Sequence, residues 1–348
     1  MAEMPPAHPV PDKPPLHLRG GYLTVAAPEE IVDACFAVPA VRALRNGRPH
    51  ATLTVTTPAS LAPIWERVRG IDHVVSYPRR AGAAAIATLL ENTGVPYESA
   101  IAWEPSNAAK AMAKLKIRQR FGYNQARLTA HLNEPLDIAS PLGPVEHRVR
   151  HFLLLVEKLG IDAFVPASFR TPPLPPRPDP PRIALCPGSE FGSAFQWPID
   201  RFAETASRLQ DQCGAEIVIL SMPGVTREAD ALARQLGDRA DNCAGKFQLG
   251  ELLDALSHCS ALIASDGVLP HLAAFCGLAS AVAFGPGDPN FRRPLGRIHS
   301  ILTQHPECGP CLRSKCPLDH RCMLEITPDQ ACEAVSGILA RAQPASVA

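Results

Sequence analysis

Short apolar runs rich in β-branched residues alternate along this chain with longer stretches in which apolar residues return every three or four positions, as in strands separated by amphipathic helices. The first run is YLTVAA (22–27); after the loop PEE comes a helical stretch, IVDACFAVPAVRALRNG. ATLTVTTP (51–58) is a second strand, ASLAPIWERVRG a helix and DHVVSYP a third strand. YESAIAW continues the series, and the basic stretch AAKAMAKLKIRQRFGY reads as one helix. Its Lys110, Lys114, Lys116, Arg118 and Arg120 make a solvated helix face, or a surface for an anionic partner. VEHRVRHFLLLVEKLGI (145–161) presents an apolar face of Val149, Phe152, Leu153, Val156 and Leu159.

The rhythm stops at TPPLPPRPDPP (171–181), where seven of eleven residues are proline. Fixed φ and missing backbone donors keep such a segment out of a sheet and make it a stiff spacer. Beyond it the pattern restarts: RIALCPG, AEIVILSMPG, ALIASDG and ASAVAFGP as strands, with helices IDRFAETASRLQDQCG, TREADALARQLG, LGELLDALSHCS and PHLAAFCGL between them. TPDQACEAVSGILARA (327–342) closes the series as a helix, with Thr327 as N-cap and Pro328 at its first position. The expected class is therefore α/β, two parallel-sheet domains of Rossmann type facing a cleft. A disordered head at 1–18 precedes an N-terminal domain at 19–170; after the 171–181 linker come a C-terminal domain at 182–326 and a helix with tail at 327–348. A nucleotide-linked ligand is expected in the cleft, although neither half contains GxGxxG or GxxxxGK[ST].

Charge and composition narrow the function. Basic and acidic side chains balance at 34 each, so no broad basic field exists to hold a nucleic acid. The opening MAEMPPAHPVPDKPPLHL has neither a basic start nor an apolar run of signal-peptide length, and the most apolar stretch, 261–284, is broken by Asp266, Pro270 and His271. No transmembrane segment and a cytoplasmic location are the expectation. Of eleven cysteines, Cys35, Cys186, Cys213, Cys243, Cys259, Cys276 and Cys332 read as small buried apolar residues. The other four, Cys308, Cys311, Cys316 and Cys322, cluster in ECGPCLRSKCPLDHRCM. They are either reduced thiols, a disulfide on oxidation, or a closed tetrahedral site for Zn or Fe.

The densest chemistry lies in ASDGVLPHLAAFCGLASAVAFGPGDPNFRRPLG (264–296), where a strand ending in Asp266, a glycine turn and His271 at a helix start make an anion site or a plain βα turn. This stretch is similar to the D-[ST]-G-x-x-H…FGPTDP…RP region of family 9 glycosyltransferases, the ADP-heptose:lipopolysaccharide heptosyltransferases. PGSEFGSAFQWPIDRFAETASRL looks like the GAEFGPAKRWP region of heptosyltransferase II, and CAGKFQLGELLDALSHCSALIASD resembles the segment before the family's Asp. PEEIVDACFAVPAVRAL, RFGY and EHRVRHFLLLVEKLG fall where the family has its first-strand loop, a Gly-Tyr and a His-Arg helix; the resemblance runs from about residue 20 to 340.

The resemblance implies a GT-B fold and an inverting transfer of a heptose or related sugar from an ADP-sugar to a glycolipid of lipopolysaccharide-core type. The protein would then be peripheral at the inner membrane face. It makes Asp33 the base, with Glu29 and Glu30 in the same loop as reserve carboxylates. Ser189, Glu190, Lys246, Asp266, Gly267, His271, Gly287 and Asp288 become donor-binding residues. No cofactor is implied for catalysis. The cysteine cluster resembles a structural knuckle after the RP motif, a brace and not the reaction centre.

Four positions depart from the family pattern: Val32 replaces a Gly, Phe195 a Lys, the D-[ST]-G turn reads Asp266-Gly267-Val268, and Gly287 replaces a Thr. Losing one phosphate-stabilising group typically costs about a hundredfold or more in rate. Arg201, Lys246, Arg292 and Arg293 are cations that could replace the lost lysine. The alternatives to an active heptosyltransferase are a degenerate GT-B protein that binds a nucleotide, glycan or partner without turnover, and an active transferase with a different nucleotide-sugar donor.

Overall fold

The computed structural model describes residues 18–137 and 145–341. The expected head, apart from Leu18, and the end of the tail lie outside the described residues.

The first half contains six parallel strands: β1 (Tyr22–Ala26), β2 (Thr52–Pro58), β3 (His73–Tyr77), β4 (Ser99–Ala102), β5 (Gln119–Tyr123) and β6 (Glu134–Leu136). They are ordered β3-β2-β1-β4-β5-β6. The second half repeats the plan with β7 (Arg182–Cys186), β8 (Glu216–Ile219), β9 (Asp241–Asn242), β10 (Ala261–Ser265), β11 (Ser280–Phe284) and β12 (Ser300–Thr303), ordered β12-β11-β10-β7-β8-β9. Each is the Rossmann order, and the GT-B expectation holds. The strand order reverses its sense between β1 and β4, and again between β7 and β10, so each half has a crevice at the carboxyl ends of those strands.

Burial explains the patterning. Val25, Val55, Ile101, Leu185 and Ile263 are inaccessible, as befits central strands covered on both faces. The helix Val149–Lys158 buries Phe152, Leu153 and Val156 completely, each contributing roughly 1.5–3 kcal/mol by leaving water. The last helix, Pro328–Ala340, starts in a capping box between Thr327 and Gln330 and packs Val335 and Ile338 into the core of the second half.

Two expectations are corrected. The basic stretch 108–123 is not one helix: the helix Asn107–Lys114 ends, Lys116 takes a left-handed backbone (φ 53°), and β5 follows between β4 and β6. The five basic residues are thus split between a helix, a turn and a strand, and Arg120 spends its guanidinium on the carbonyls of Ile117 and His131. Among the seven scattered cysteines, Cys213 is exposed and Cys243 half-buried. Cys213 ends the helix Ile199–Cys213 on its outer face, with its thiol donating to Leu209 O.

The two halves touch around the cleft. Arg67 Nη2 donates to Gly250 O (3.1 Å) and Asp254 Oδ1 (2.8 Å). The Phe36 ring meets His271 edge-on at 5.0 Å and His147 at 5.1 Å. The Arg148 backbone N–H donates to Phe291 O (2.7 Å), and His147 Nε2 lies 2.8 Å from Arg293 O.

Candidate active site

The first corner of the cleft is built at the β1/β4 crevice. After β1 the loop 27–30 turns directly into the helix Ile31–Gly47, and Asp33 stands in its first turn, half-buried. The opposite wall comes from Glu104, just past β4, and from Arg148 at the start of the helix Val149–Lys158. Arg148 Nε donates to Asp33 Oδ1 (3.1 Å) and Nη2 to Asp33 Oδ2 (2.7 Å), a two-pronged pair, and Nη2 also reaches Glu104 Oε1. Two carboxylates thus share one cation. Burial raises the Glu104 pKa, the neighbouring Asp33 charge raises it further, and Arg148 opposes both. His151, one helical turn on, is driven down to about 4 by burial and by Arg148, so it is neutral at pH 7. The reserve carboxylates are less well placed: Glu29 accepts the Tyr77 hydroxyl (3.0 Å), and Glu30 is exposed.

The second corner lies at the β7/β10 crevice. Ser189, buried, donates to Asp266 O (2.6 Å) and accepts from Phe191 N (3.2 Å), tying the loop after β7 to the end of β10. Glu190 is exposed as a residue, but its Oε2 turns inward and accepts the Val268 N–H at 2.9 Å. The helix Leu269–Cys276 therefore begins under a carboxylate of its own. A Cβ on Gly267 would stand 2.9 Å from that oxygen, closer than packing allows, and a Cβ on Gly287 would collide with Asp266 Oδ2. Two of the four departures from the family pattern thus make room for carboxylates that turn inward.

Asp266 is 1% exposed, and neither carboxylate oxygen makes a hydrogen bond among the described residues. Burial pushes its pKa up to about 7, Arg292 pulls it down and Glu190 pushes it up. Arg292 Nη2 is 3.9 Å from Asp266 Oδ1, and its guanidinium lies 3.5 Å over the Phe191 ring and 6.0 Å from that of Phe195. His271 is buried with both ring nitrogens unpartnered; burial, then the charges of Arg292, His147 and His299, hold its pKa well below the usual value. It is a neutral imidazole wedged against Phe36.

Two predicted donor residues stand apart from these contacts. Lys246 is exposed and donates to Asn242 O (2.5 Å), and Asp288 caps the short helix Pro289–Arg292 by accepting from Asn290 N (2.8 Å).

The cysteine segment folds against the second corner. Cys308, Cys311, Cys316 and Cys322 line one small cavity, and all eleven cysteines are free thiols. Among the described residues no group of three or more His, Cys, Asp or Glu converges as a metal site, so the four thiols share a cavity without forming a coordination shell. Burial and then the other three sulfurs raise the Cys322 pKa. The segment grips both donor loops: Ala194 N donates to Ser314 O (3.0 Å), His320 Nε2 lies 2.7 Å from Ala194 O, and Leu312 N donates to Pro286 O (2.9 Å).

Sequence reasoning singled out Asp33, Ser189, Glu190, Asp266 and His271 but missed Glu104, Arg148 and Phe191. Arg148 lies 115 positions from Asp33, and no local motif joins them.

Comparison with known proteins adds the lineage. Over 175 aligned positions, covering 46% of this chain, the sequence is 30% identical to lipooligosaccharide heptosyltransferase 2 of Haemophilus influenzae; that match spans about half (48%) of the relative's length. Lipopolysaccharide heptosyltransferase 2 of Salmonella typhimurium is 22% identical over 91% of this chain and 98% of its own. The solved structure of Escherichia coli ADP-heptose LPS heptosyltransferase II superposes with a TM-score of 0.75 at 21% identity, covering 91% of this chain and 98% of that one. The profile of glycosyltransferase family 9 (heptosyltransferase) matches residues 97–321, and with well over half of its length inside that match the chain belongs to this family.

Proposed function

We propose that the protein is an inverting glycosyltransferase that moves a heptose or related sugar from an ADP-sugar onto a glycolipid acceptor of lipopolysaccharide-core type. The observation that carries this reading is the pairing of two corners of the fold, a carboxylate held by Arg148 at the β1/β4 crevice and the buried Asp266 facing Arg292 at the β7/β10 crevice. Asp33 takes the proton of the acceptor hydroxyl as its oxygen attacks the anomeric carbon; the bond to the diphosphate breaks, and ADP leaves with the electron pair. Arg148 orients Asp33, and Glu104 shares the proton load. Ser189, Glu190, Gly267 and His271 shape the donor pocket, Gly287 leaves space for Asp266, and Lys246 and Asp288 lie at its margin.

No metal takes part in these steps. Cys308, Cys311, Cys316 and Cys322 would have to draw closer together to hold a structural Zn or Fe, which would then stiffen the loops the segment grips. No described helix is long and apolar enough to cross a membrane. Action in the cytoplasm at the inner membrane face follows from a lipid-linked acceptor.

Calorimetric titration with ADP, UDP and GDP, followed by a transfer assay with the matching nucleotide sugar, tests the reading. Micromolar ADP binding with turnover is expected. Binding without turnover would replace it with the degenerate GT-B alternative, and preference for UDP or GDP with a transferase of another donor.

A further inference from the structure

We propose that Arg292 is the residue that holds the donor diphosphate, and that Phe191 positions it. This rests on the nucleotide-sugar reading above and assigns the cation that reading requires, since position 195 is Phe where the family pattern has Lys.

The argument begins with charge. Asp266 and Glu190 bring two carboxylates into a buried corner, and a dianionic diphosphate could not enter it without a cation to oppose them. Of the four cations named in the sequence as replacements for the lysine, three are engaged elsewhere or turned outward. Arg201 Nη2 points to Leu324 O at 3.5 Å, Lys246 Nζ is on Asn242 O, and Arg293 is exposed. Arg292 remains.

Its placement suits the task. The guanidinium carbon lies 3.5 Å over the Phe191 ring centroid, a contact that uses the face of the group and not its N–H donors. Nη2 stands 3.9 Å from Asp266 Oδ1, beyond hydrogen-bond length, and neither Nε nor Nη2 makes a hydrogen bond among the described residues. Asp266 therefore attracts the arginine without consuming its donors. The carbonyls on either side, of Phe291 and Arg293, are held from the other half of the molecule by Arg148 N and His147 Nε2. The same Arg148 grips Asp33, so the backbone that presents the cation and the side chain that orients the base share one anchor. Phe195, 5% exposed and edge-on to Phe191 at 5.6 Å, fills the space of the missing lysine and backs the stack.

The test is a set of calorimetric titrations of the full chain with ADP and with adenosine, which lacks the diphosphate. Arg292→Met should weaken ADP binding about 10- to 100-fold, the range for lost charge-assisted hydrogen bonds, and leave adenosine unchanged. Adding Phe195→Lys to that variant should restore most of the loss. Phe191→Leu should weaken ADP alone, and Phe191→Tyr should not. If Arg292→Met does not fold, Arg292→Lys, which keeps the charge but loses the fork and the stack, should show a smaller ADP-selective loss. Equal weakening of ADP and adenosine, wild-type ADP affinity in the Arg292 variant, or no rescue by lysine at 195 would overturn the assignment. Should the wild type prefer UDP or GDP, the adenine reading fails alone, because the same Arg292 dependence is then expected with the preferred diphosphate. Absence of any nucleoside diphosphate binding overturns both.

Discussion

Arg148 and Arg292 are matched in burial, with side chains 24% and 23% exposed; Arg148 faces Asp33 and Glu104, and Arg292 faces Asp266. They are held in opposite ways. Arg148 is spent: its donors close on Asp33 at 2.7 and 3.1 Å and on Glu104, so the base corner is complete as a network of the protein's own groups. Arg292 is stacked on a ring, beyond bonding distance from Asp266, and its corner retains buried donors and acceptors without partners. Since a buried unpaired polar group costs roughly 1–3 kcal/mol, a site that tolerates several is organised for a bound ligand more than for stability. One corner is thus arranged in advance for proton transfer, and the other for capture.

The sharpest way to break this contrast is at the base. Asp33→Asn keeps the shape but removes the proton acceptor, so turnover should fall roughly 10²- to 10⁴-fold while ADP affinity stays close to wild type. Comparable loss of both would mean that the two corners do not divide the work. Glu104→Gln is milder. Burial and Asp33 hold the Glu104 carboxyl above its ordinary pKa, so its ionisation belongs to the acid limb of the rate profile. The variant should lose about tenfold in kcat and flatten that limb; a lower rate with an unchanged profile would reduce Glu104 to an anchor for Arg148.

How much of this could be read in advance differs between the corners for a physical reason. Central strands such as β1, β2 and β10 are legible because burial on both faces demands a local apolar run. Edge strands are legible only where they carry an apolar run of their own, as β3 does; β9 is the two polar residues Asp241–Asn242, defined by its partner β8. The misread 108–123 segment has helix-compatible charges throughout, and only the turn at Lys116 and pairing with β4 and β6 make its end a strand. The donor corner announces itself because Ser189 to Phe195 and Asp266 to Arg292 come from compact motifs. Arg148 and Glu104 carry no such mark; the topology alone brings them to Asp33. The replacements at Gly267 and Gly287 look like losses in sequence but create room for the carboxylates of Glu190 and Asp266.

The cysteine segment sharpens the comparison from the capture side, since its hydrogen bonds among the described residues grip the loops of Ala194 and Pro286 and none goes to Asp33. Cys308→Ser, or a strong chelator if the thiols carry metal, should lower the melting temperature and weaken ADP several-fold. Turnover at saturating donor should hold. A fall in kcat at saturation would give the knuckle a place in the chemistry that its contacts do not support.

The smallest effect is the most diagnostic of what the capture corner costs. Asp266 has an ordinary carboxyl pKa near 3.8 when unfolded and about 7 when folded, raised chiefly by burial. The folded state therefore binds this proton more tightly, and stability falls as pH rises from 3.8 to about 7, then stays level. Asp266→Asn removes the ionisation. Its melting temperature should match wild type below pH 3.8, diverge upward through the interval and settle roughly 5 °C higher at pH 8, even as ADP binding weakens. A variant less stable than wild type at pH 8 would mean that Asp266 and Arg292 form a stabilising pair after all, and the distinction between a spent and an available arginine would collapse.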